Sequence, residues 1–273
     1  MRPGCLIVLF LLTCPAGAAA QLPGELLRPE APPKAAPEEQ QPPGPQPGPR
    51  DAAPRRVPAA RRVRSLSDER AESRFAFVLR RSWARARPHA RSRRVKLLRT
   101  TTPDGTPELV LALDELRAGG HSRWVRVRLP MRPNGTTGWV PRGALGAMRV
   151  VHASLRIDRR RLRATLRRRG RVIWRSPIGV GQPQWPTPPG RFYVRERLIP
   201  VDPRGLYGVF AFGLSAYSRV LTDWPGGGMI GIHGTNQPEL IPGRISHGCI
   251  RLPNRAIARL RRLMPLGTPV FIR

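Results

Sequence analysis

From Arg123 to Leu129 the chain alternates, with Val125, Val127 and Leu129 on one face and Arg126 and Arg128 on the other. A period of two is the mark of a β-strand with one side buried. Short segments of similar character are Phe75–Leu79, Val95–Thr100, Glu108–Leu113, Trp124–Leu129 and Trp139–Val140. Turn signals separate them, among them Pro103-Asp104-Gly105 and Pro133-Asn134-Gly135. Residues 75–147 are therefore expected to form a small β-barrel, with Trp124 and Trp139 in or near its core. A second β-rich region follows over 149–273. Val151–Asp158, Leu162–Arg167 and Arg171–Pro177 read as consecutive strands, with Arg159-Arg160-Arg161 as a solvated turn. Arg191–Val194, Met229–His233 and Thr268–Ile272 read as further strands. Pro253–Met264 predicts a helix with Ile257, Leu260 and Met264 on one face. A short helix is expected at Ser65–Arg74. The fold class is mostly β, with one or two helices.

The N-terminal part looks different. Arg2 precedes the apolar run Leu6–Leu12, and Ala18-Ala19-Ala20 stands before Gln21, the layout of a cleavable export signal over 1–20. That run is too short for a stable membrane-spanning helix. Contact with the membrane is expected only in transit, although lipid attachment at Cys14 is an alternative to cleavage after Ala20. Twelve of the 33 prolines fall between Pro23 and Pro58. So proline-rich a segment, with few large apolar residues, cannot bury enough surface to offset ordering, and 21–74 is expected to be a disordered tether. Removal of the signal takes Cys5 and Cys14 with it and leaves Cys249 alone. A lone cysteine in an exported chain is a candidate reactive thiol.

The formal net charge is +32, almost all of it arginine, since Lys34 and Lys96 are the only lysines. Such a balance suits a polyanionic partner. Nucleic acid is the usual one, but no helix–turn–helix, finger spacing or aromatic-interleaved basic strand is present, so it is not expected. A polyanion met outside the cytoplasm fits the exported setting better.

The chemistry concentrates in two short stretches, Ile232-His233-Gly234-Thr235-Asn236 and Ser246-His247-Gly248-Cys249-Ile250-Arg251. A thiol becomes nucleophilic when a neighbouring imidazole takes its proton. His233 lies sixteen positions before Cys249 and ends a predicted strand, while His247 lies two before it. Either can be the base on this evidence. Gly248 frees the backbone to aim N–H groups at a developing oxyanion. Ser246 can donate into the same site or cap the turn. Arg251 is placed to hold a substrate carboxylate, and Thr235 and Asn236 stand at the mouth of the same loop. His233, His247 and Cys249 lack the close ligand pairs of a metal site, so no metal and no organic cofactor is expected. His89, His121 and His152 have no partners in sequence.

His-Gly-Thr followed by Ser-His-Gly-Cys-x-Arg resembles the signature of the L,D-transpeptidase (YkuD-type) catalytic domain. Val180-Gly181 followed by Pro186-Thr187-Pro188-Pro189-Gly190-Arg191-Phe192 resembles another segment of that family. The likeness runs from about Arg149 to Arg273 and implies a β-sandwich-like fold. It also implies a cysteine that attacks a tetrapeptide stem of peptidoglycan between its third and fourth residues. By that resemblance Cys249 is the nucleophile and His233 the general acid/base, oriented by Gly234. His247, Ser246 and Gly248 shape the oxyanion site, and Arg251 meets the carboxylate of a diamino acid. The product is a 3→3 cross-link made in the cell wall or periplasmic space, and carbapenems are expected to acylate the same sulfur. Trp124 to Trp139, ending Gly138-Trp139-Val140, resembles the closing strands of bacterial SH3-like domains. Two further readings stay open: a hydrolase that trims tetrapeptides, and a non-catalytic wall-binding protein.

Overall fold

A computed structural model describes residues 27–30, 62–118, 121–223 and 225–273. The expected export signal and most of the expected tether lie outside these residues. Two parts of the tether span are ordered. Leu27–Pro29 (β1) pairs with a strand of the C-terminal region, and Arg62–Ser65 (β2) pairs within the N-terminal sheet. The first is held by that ladder and by the Glu30 carboxylate, which meets both Arg197 and Arg261. Composition does not reveal a segment whose order depends on two arginines more than 160 positions away.

The expected helix at Ser65–Arg74 is not formed. Asp68 Oδ1 accepts the backbone N–H groups of Arg70, Ala71 and Glu72 at 2.7, 2.8 and 3.0 Å, and Glu69 takes a φ of 59°. A side chain that satisfies three successive donors gives the backbone an alternative to helix. The chain turns there and re-enters the sheet as Ser73–Phe77 (β3).

Six more strands complete the N-terminal sheet: Ser82–Arg85 (β4), Arg94–Leu98 (β5), Leu109–Ala118 (β6), His121–Arg128 (β7), Thr137–Pro141 (β8) and Arg149–Val151 (β9). The order is β5-β4-β8-β7-β6-β3-β9, with β2 on β6. Trp124 and Trp139 are half-buried, as their mixed surroundings in sequence suggest.

The C-terminal region is one curled sheet with a single α-helix among the described residues. Its strands are Ala153–Asp158 (β10), Arg163–Arg168 (β11), Arg171–Pro177 (β12), Gly179–Gly181 (β13), Gly190–Pro200 (β14), Ala211–Tyr217 (β15), Met229–His233 (β16), Gly243–Ser246 (β17), Ile250–Arg251 (β18) and Pro269–Ile272 (β19). The spatial order is β12-β11-β10-β19-β14-β15-β16-β18-β13-β17, with β1 on β14. The curl comes from β14. Gly190–Tyr193 pairs with β19, Val194–Leu198 pairs with β15, and the register shifts between Val194 and Glu196. A bulge of this kind bends a strand and strengthens its twist. Helix α1, Asn254–Leu263, buries Ile257 and Leu260 against the core, and Met264 follows just beyond it. Between β10 and β11, Asp158 Oδ1 accepts the N–H groups of Arg160 and Arg161, so the arginine run is a turn.

The two regions share a wall. Leu109, Leu111 and Leu113 of β6 and Phe75 of β3 belong to the core of the C-terminal region. Val110 and Ala112 of β6 and Ala76 of β3 belong to the core of the N-terminal sheet. The continuous apolar run Leu109–Leu113 is thus a strand covered on both faces. Each large side chain buried there contributes ~1.5–3 kcal/mol, an upper figure because unfolded chains already bury some surface.

Candidate active site

Strands β16 and β18 run parallel, with Ile232 beside Ile250 and His233 beside Arg251. Ile230, Ile232 and Ile250 turn into the core. The alternation of strand side chains then sends Gly231, His233 and Arg251 to the opposite face. The two motifs that are separate in sequence meet here.

Cys249 is half-buried, and its sulfur accepts the N–H of Gly231 at 3.4 Å. His233 is buried, with Nδ1 2.6 Å from the Gly234 carbonyl oxygen. Since a carbonyl only accepts, Nδ1 carries the proton and Nε2 presents a lone pair. Burial holds His233 down to about 4, so its ring is neutral at ordinary pH. Burial also pushes the Cys249 thiol up, opposed by the Gly231 N–H and the charge of Arg251. The resting site therefore holds a neutral thiol and a neutral imidazole.

Cys249 sits on a stiff turn. Ser246 Oγ accepts the Gly248 N–H at 3.1 Å and donates to the Cys249 carbonyl at 2.6 Å. Of the two roles open for Ser246, the structure uses its hydroxyl as the turn cap. Gly248 has φ +116°, a conformation closed to residues with a Cβ. Its carbonyl accepts the Thr187 hydroxyl at 2.7 Å, and Thr187 Oγ1 accepts the Gly181 N–H at 2.9 Å. The proline-rich segment thus clamps the turn from behind.

The other expected residues are distributed around this centre. His247 is exposed and stacks on Trp185, with ring centroids 4.1 Å apart. Burial and the Arg251 charge both hold its ring below the usual imidazole range. Arg251 is buried, not solvated: Nη1 donates to Gln237 Oε1 at 3.3 Å, and Nε has no partner among the described residues. Thr235 is fully buried, with its N–H on Asn254 Oδ1 and its Oγ1 accepting the Gln237 N–H. Asn236 is exposed on the same loop. Among the described residues no three His, Cys, Asp or Glu gather as metal ligands.

Three residues near the site escaped the sequence reading, and a fourth, Thr187, was read only as part of the family-like segment. Tyr207 sets its ring edge-on against His233, centroids 4.9 Å apart. Burial, helped by the charge of Cys249, pushes its hydroxyl up to about 12. Trp185, Thr187 and Asn254 complete the surroundings. Tyr207, Trp185 and Asn254 carry no local signal, since each comes from its own segment and meets the site only in the fold.

Residues 152–272 match the model of the YkuD family, described as the L,D-transpeptidase catalytic domain. Over that span the C-terminal region resembles the L,D-transpeptidase catalytic domain family. The "Putative L,D-transpeptidase YkuD" of Bacillus subtilis is 36% identical over 108 residues, 40% of this chain and 58% of that protein. Its Bacillus licheniformis counterpart is 36% identical over 104 residues, 38% of this chain and 55% of that one. The chain thus spans less than two thirds of these curated relatives. A solved L,D-transpeptidase of Enterococcus faecium is 26% identical, with 44% of this chain and 49% of that one covered at a TM-score of 0.34. Among the described residues, no helix is long and apolar enough to cross a membrane.

Proposed function

We propose that this chain is a peptidoglycan L,D-transpeptidase in which Cys249 is the nucleophile and His233 the base. The observation that carries this is the 2.6 Å contact of His233 Nδ1 with the Gly234 carbonyl, which leaves Nε2 to take the thiol proton. Because thiol and imidazole are both neutral at rest, proton transfer accompanies attack instead of preceding it. The Cys249 proton passes to Nε2 as the sulfur bonds to the carbonyl carbon of the donor's third residue. The C–N bond to the fourth residue breaks, and Nε2 returns the proton to the leaving amine. With the Gly248 N–H held by Ser246, the oxyanion donor is the N–H of Cys249 itself.

An acceptor amine then attacks the thioester, forming C–N as C–S breaks, and sulfur regains a proton through His233. A thioester favours amines over water, which supports cross-linking above trimming. Arg251, buried beside the site with a free Nε, suits the donor carboxylate. His247 on Trp185 forms the rim, with Asn236 at the loop mouth. Export to the wall or periplasmic space, through the N-terminal signal, fits this substrate. The SH3-like reading of 75–147 fits a region that positions the catalytic domain on anionic wall polymers.

Intact mass spectrometry of the chain from residue 21, incubated with a carbapenem and separately with a tetrapeptide stem, tests the proposal. One covalent adduct and release of the terminal residue are expected, both lost in Cys249→Ala. A folded wild type that gives neither rejects the assignment.

A further inference from the structure

Glu196 of β14 pairs in register with Gly213 of β15, and Gly213 pairs with Gly231 of β16. Registered partners share a face, and Phe212 and Ile232 occupy the core face. Glu196, Gly213 and Gly231 therefore form a row on the active-site face that ends at the sulfur held by Gly231. Glu196 leans along this row. A Cβ on Gly213 would lie 2.6 Å from Glu196 Oε1, whereas one on Gly231 would meet only the Phe212 carbonyl at 3.2 Å. The carboxyl thus lies over Gly213, one strand spacing, ~4.8 Å, from the strand whose Gly231 holds the Cys249 sulfur.

The N-terminal region covers this carboxyl with the hairpin closed by Thr101 and Pro107. Thr102 and Thr106 donate their hydroxyls to Glu196 Oε2 at 2.8 and 2.9 Å. Asp104 stands at the hairpin tip, and burial raises both its carboxyl and that of Glu196. Glu196 is only 1% exposed, yet its Oε1 and Asp104 Oδ2 are buried with no N–H or hydroxyl donor among the described residues. The neighbouring Glu108 is committed to Arg195. Two buried acidic oxygens without a donor require either a proton or a cation beside them.

We infer that Glu196 and Asp104 form the acceptor subsite, which holds the primary ammonium group of the incoming diamino side chain. This rests on the transpeptidase reading above. A proton held by the pair leaves to solvent as the ammonium enters, and the ammonium then gives one proton back to the pair, so that the free amine attacks the thioester carbon. Arg251 and this pair then divide the cleft by charge, a cation for the donor carboxylate and anions for the acceptor amine. The N-terminal region becomes part of the active site through Asp104, and specificity for an amine over water has a structural source.

The test separates the two half-reactions in the chain from residue 21. Thioester formation is followed by release of the terminal residue from a tetrapeptide donor. Transfer is followed as the ratio of cross-linked to hydrolysed product while a tripeptide amine acceptor is titrated. Glu196→Gln is expected to lower kcat/KM for the acceptor about ten- to hundredfold, mainly through KM. Asp104→Asn, on the more exposed hairpin, changes it in the same direction and decides the matter if Glu196→Gln does not fold. An acceptor KM that is unchanged in a folded variant overturns the subsite alone. A wild type that never forms the thioester removes the transpeptidase reading, and the subsite with it.

Discussion

Asn254 Oδ1 accepts the backbone N–H of Thr235 at 3.1 Å and that of Val209 at 3.3 Å. One side-chain oxygen at the start of α1 thereby ties down both the loop after His233 and the loop carrying Tyr207. Asn254→Ala leaves two N–H groups unsatisfied and is expected to lose ~1–3 kcal/mol of stability. Gly234→Ala should be worse, because its Cβ would come within 2.2 Å of the same oxygen. Thermal melts of the two variants check the order; a Gly234→Ala protein as stable as wild type contradicts it.

The acylation rate should show no acid limb near the ordinary imidazole value. His233 stays neutral down to about 4, and the Cys249 thiol is raised, so the rate climbs with pH into the alkaline range. The same depression affects stability. An unfolded imidazole binds its proton below ~6.5 and the folded one only below about 4, so stability is lost as pH falls between them. A pH series of carbapenem acylation rates and of melting temperatures reads both effects.

Glu196 acts with the opposite sign. Burial raises its carboxyl from 4.5 to about 6, so its contribution is fully present below 4.5 and lost as pH rises through about 6. Amide protection factors in the hairpin Thr101–Pro107 should fall between pH 4.5 and 7.5 in the wild type. Glu196→Gln should abolish the difference, and a difference that persists in that variant points to another titrating group.

Arg195 and Glu108 form a buried ion pair across the two regions, each less than 5% exposed. Glu108→Ala strands the guanidinium and is expected to destabilise by ~3–5 kcal/mol. The double replacement Glu108→Leu with Arg195→Met should recover much of this. Chemical denaturation of the single and double variants measures the coupling.

Thr187→Val keeps the shape of the proline-rich clamp but removes the hydroxyl that joins Gly181 to Gly248. A loss of ~1 kcal/mol in stability is expected. The acylation rate should fall about tenfold as the Cys249 turn loosens, because geometry near the reacting atom dominates rate. Equal rates in both proteins would show that the turn holds without the clamp.

Strands with one wet face were legible, as Val125, Val127 and Leu129 illustrate, and so was α1 from Ile257, Leu260 and Met264. β15 was not, because Ala211–Ala216 is buried on both sides and shows no alternation. Most of β14 was hidden for a different reason. Arg195, Glu196 and Arg197 look like surface charges, yet Arg195 and Glu196 are buried against partners in the N-terminal region. The centre of the site was legible because a thiol, two imidazoles and a guanidinium crowd two short motifs. Tyr207, Trp185 and Asn254 were silent, since a lone tyrosine or tryptophan in a loop means nothing until folding supplies its neighbour.

Because β6 presents leucines to one core and Val110 and Ala112 to the other, dissection at the apparent boundary cuts through a filled interior. An excised fragment beginning near Arg149 would expose the seats of Phe75, Leu109 and Leu111 as a greasy trough and lose the cover over Glu196. Chimaeras that attach this catalytic half to a foreign carrier will stay soluble only where the carrier supplies a strand pair with apolar teeth at the same alternating places.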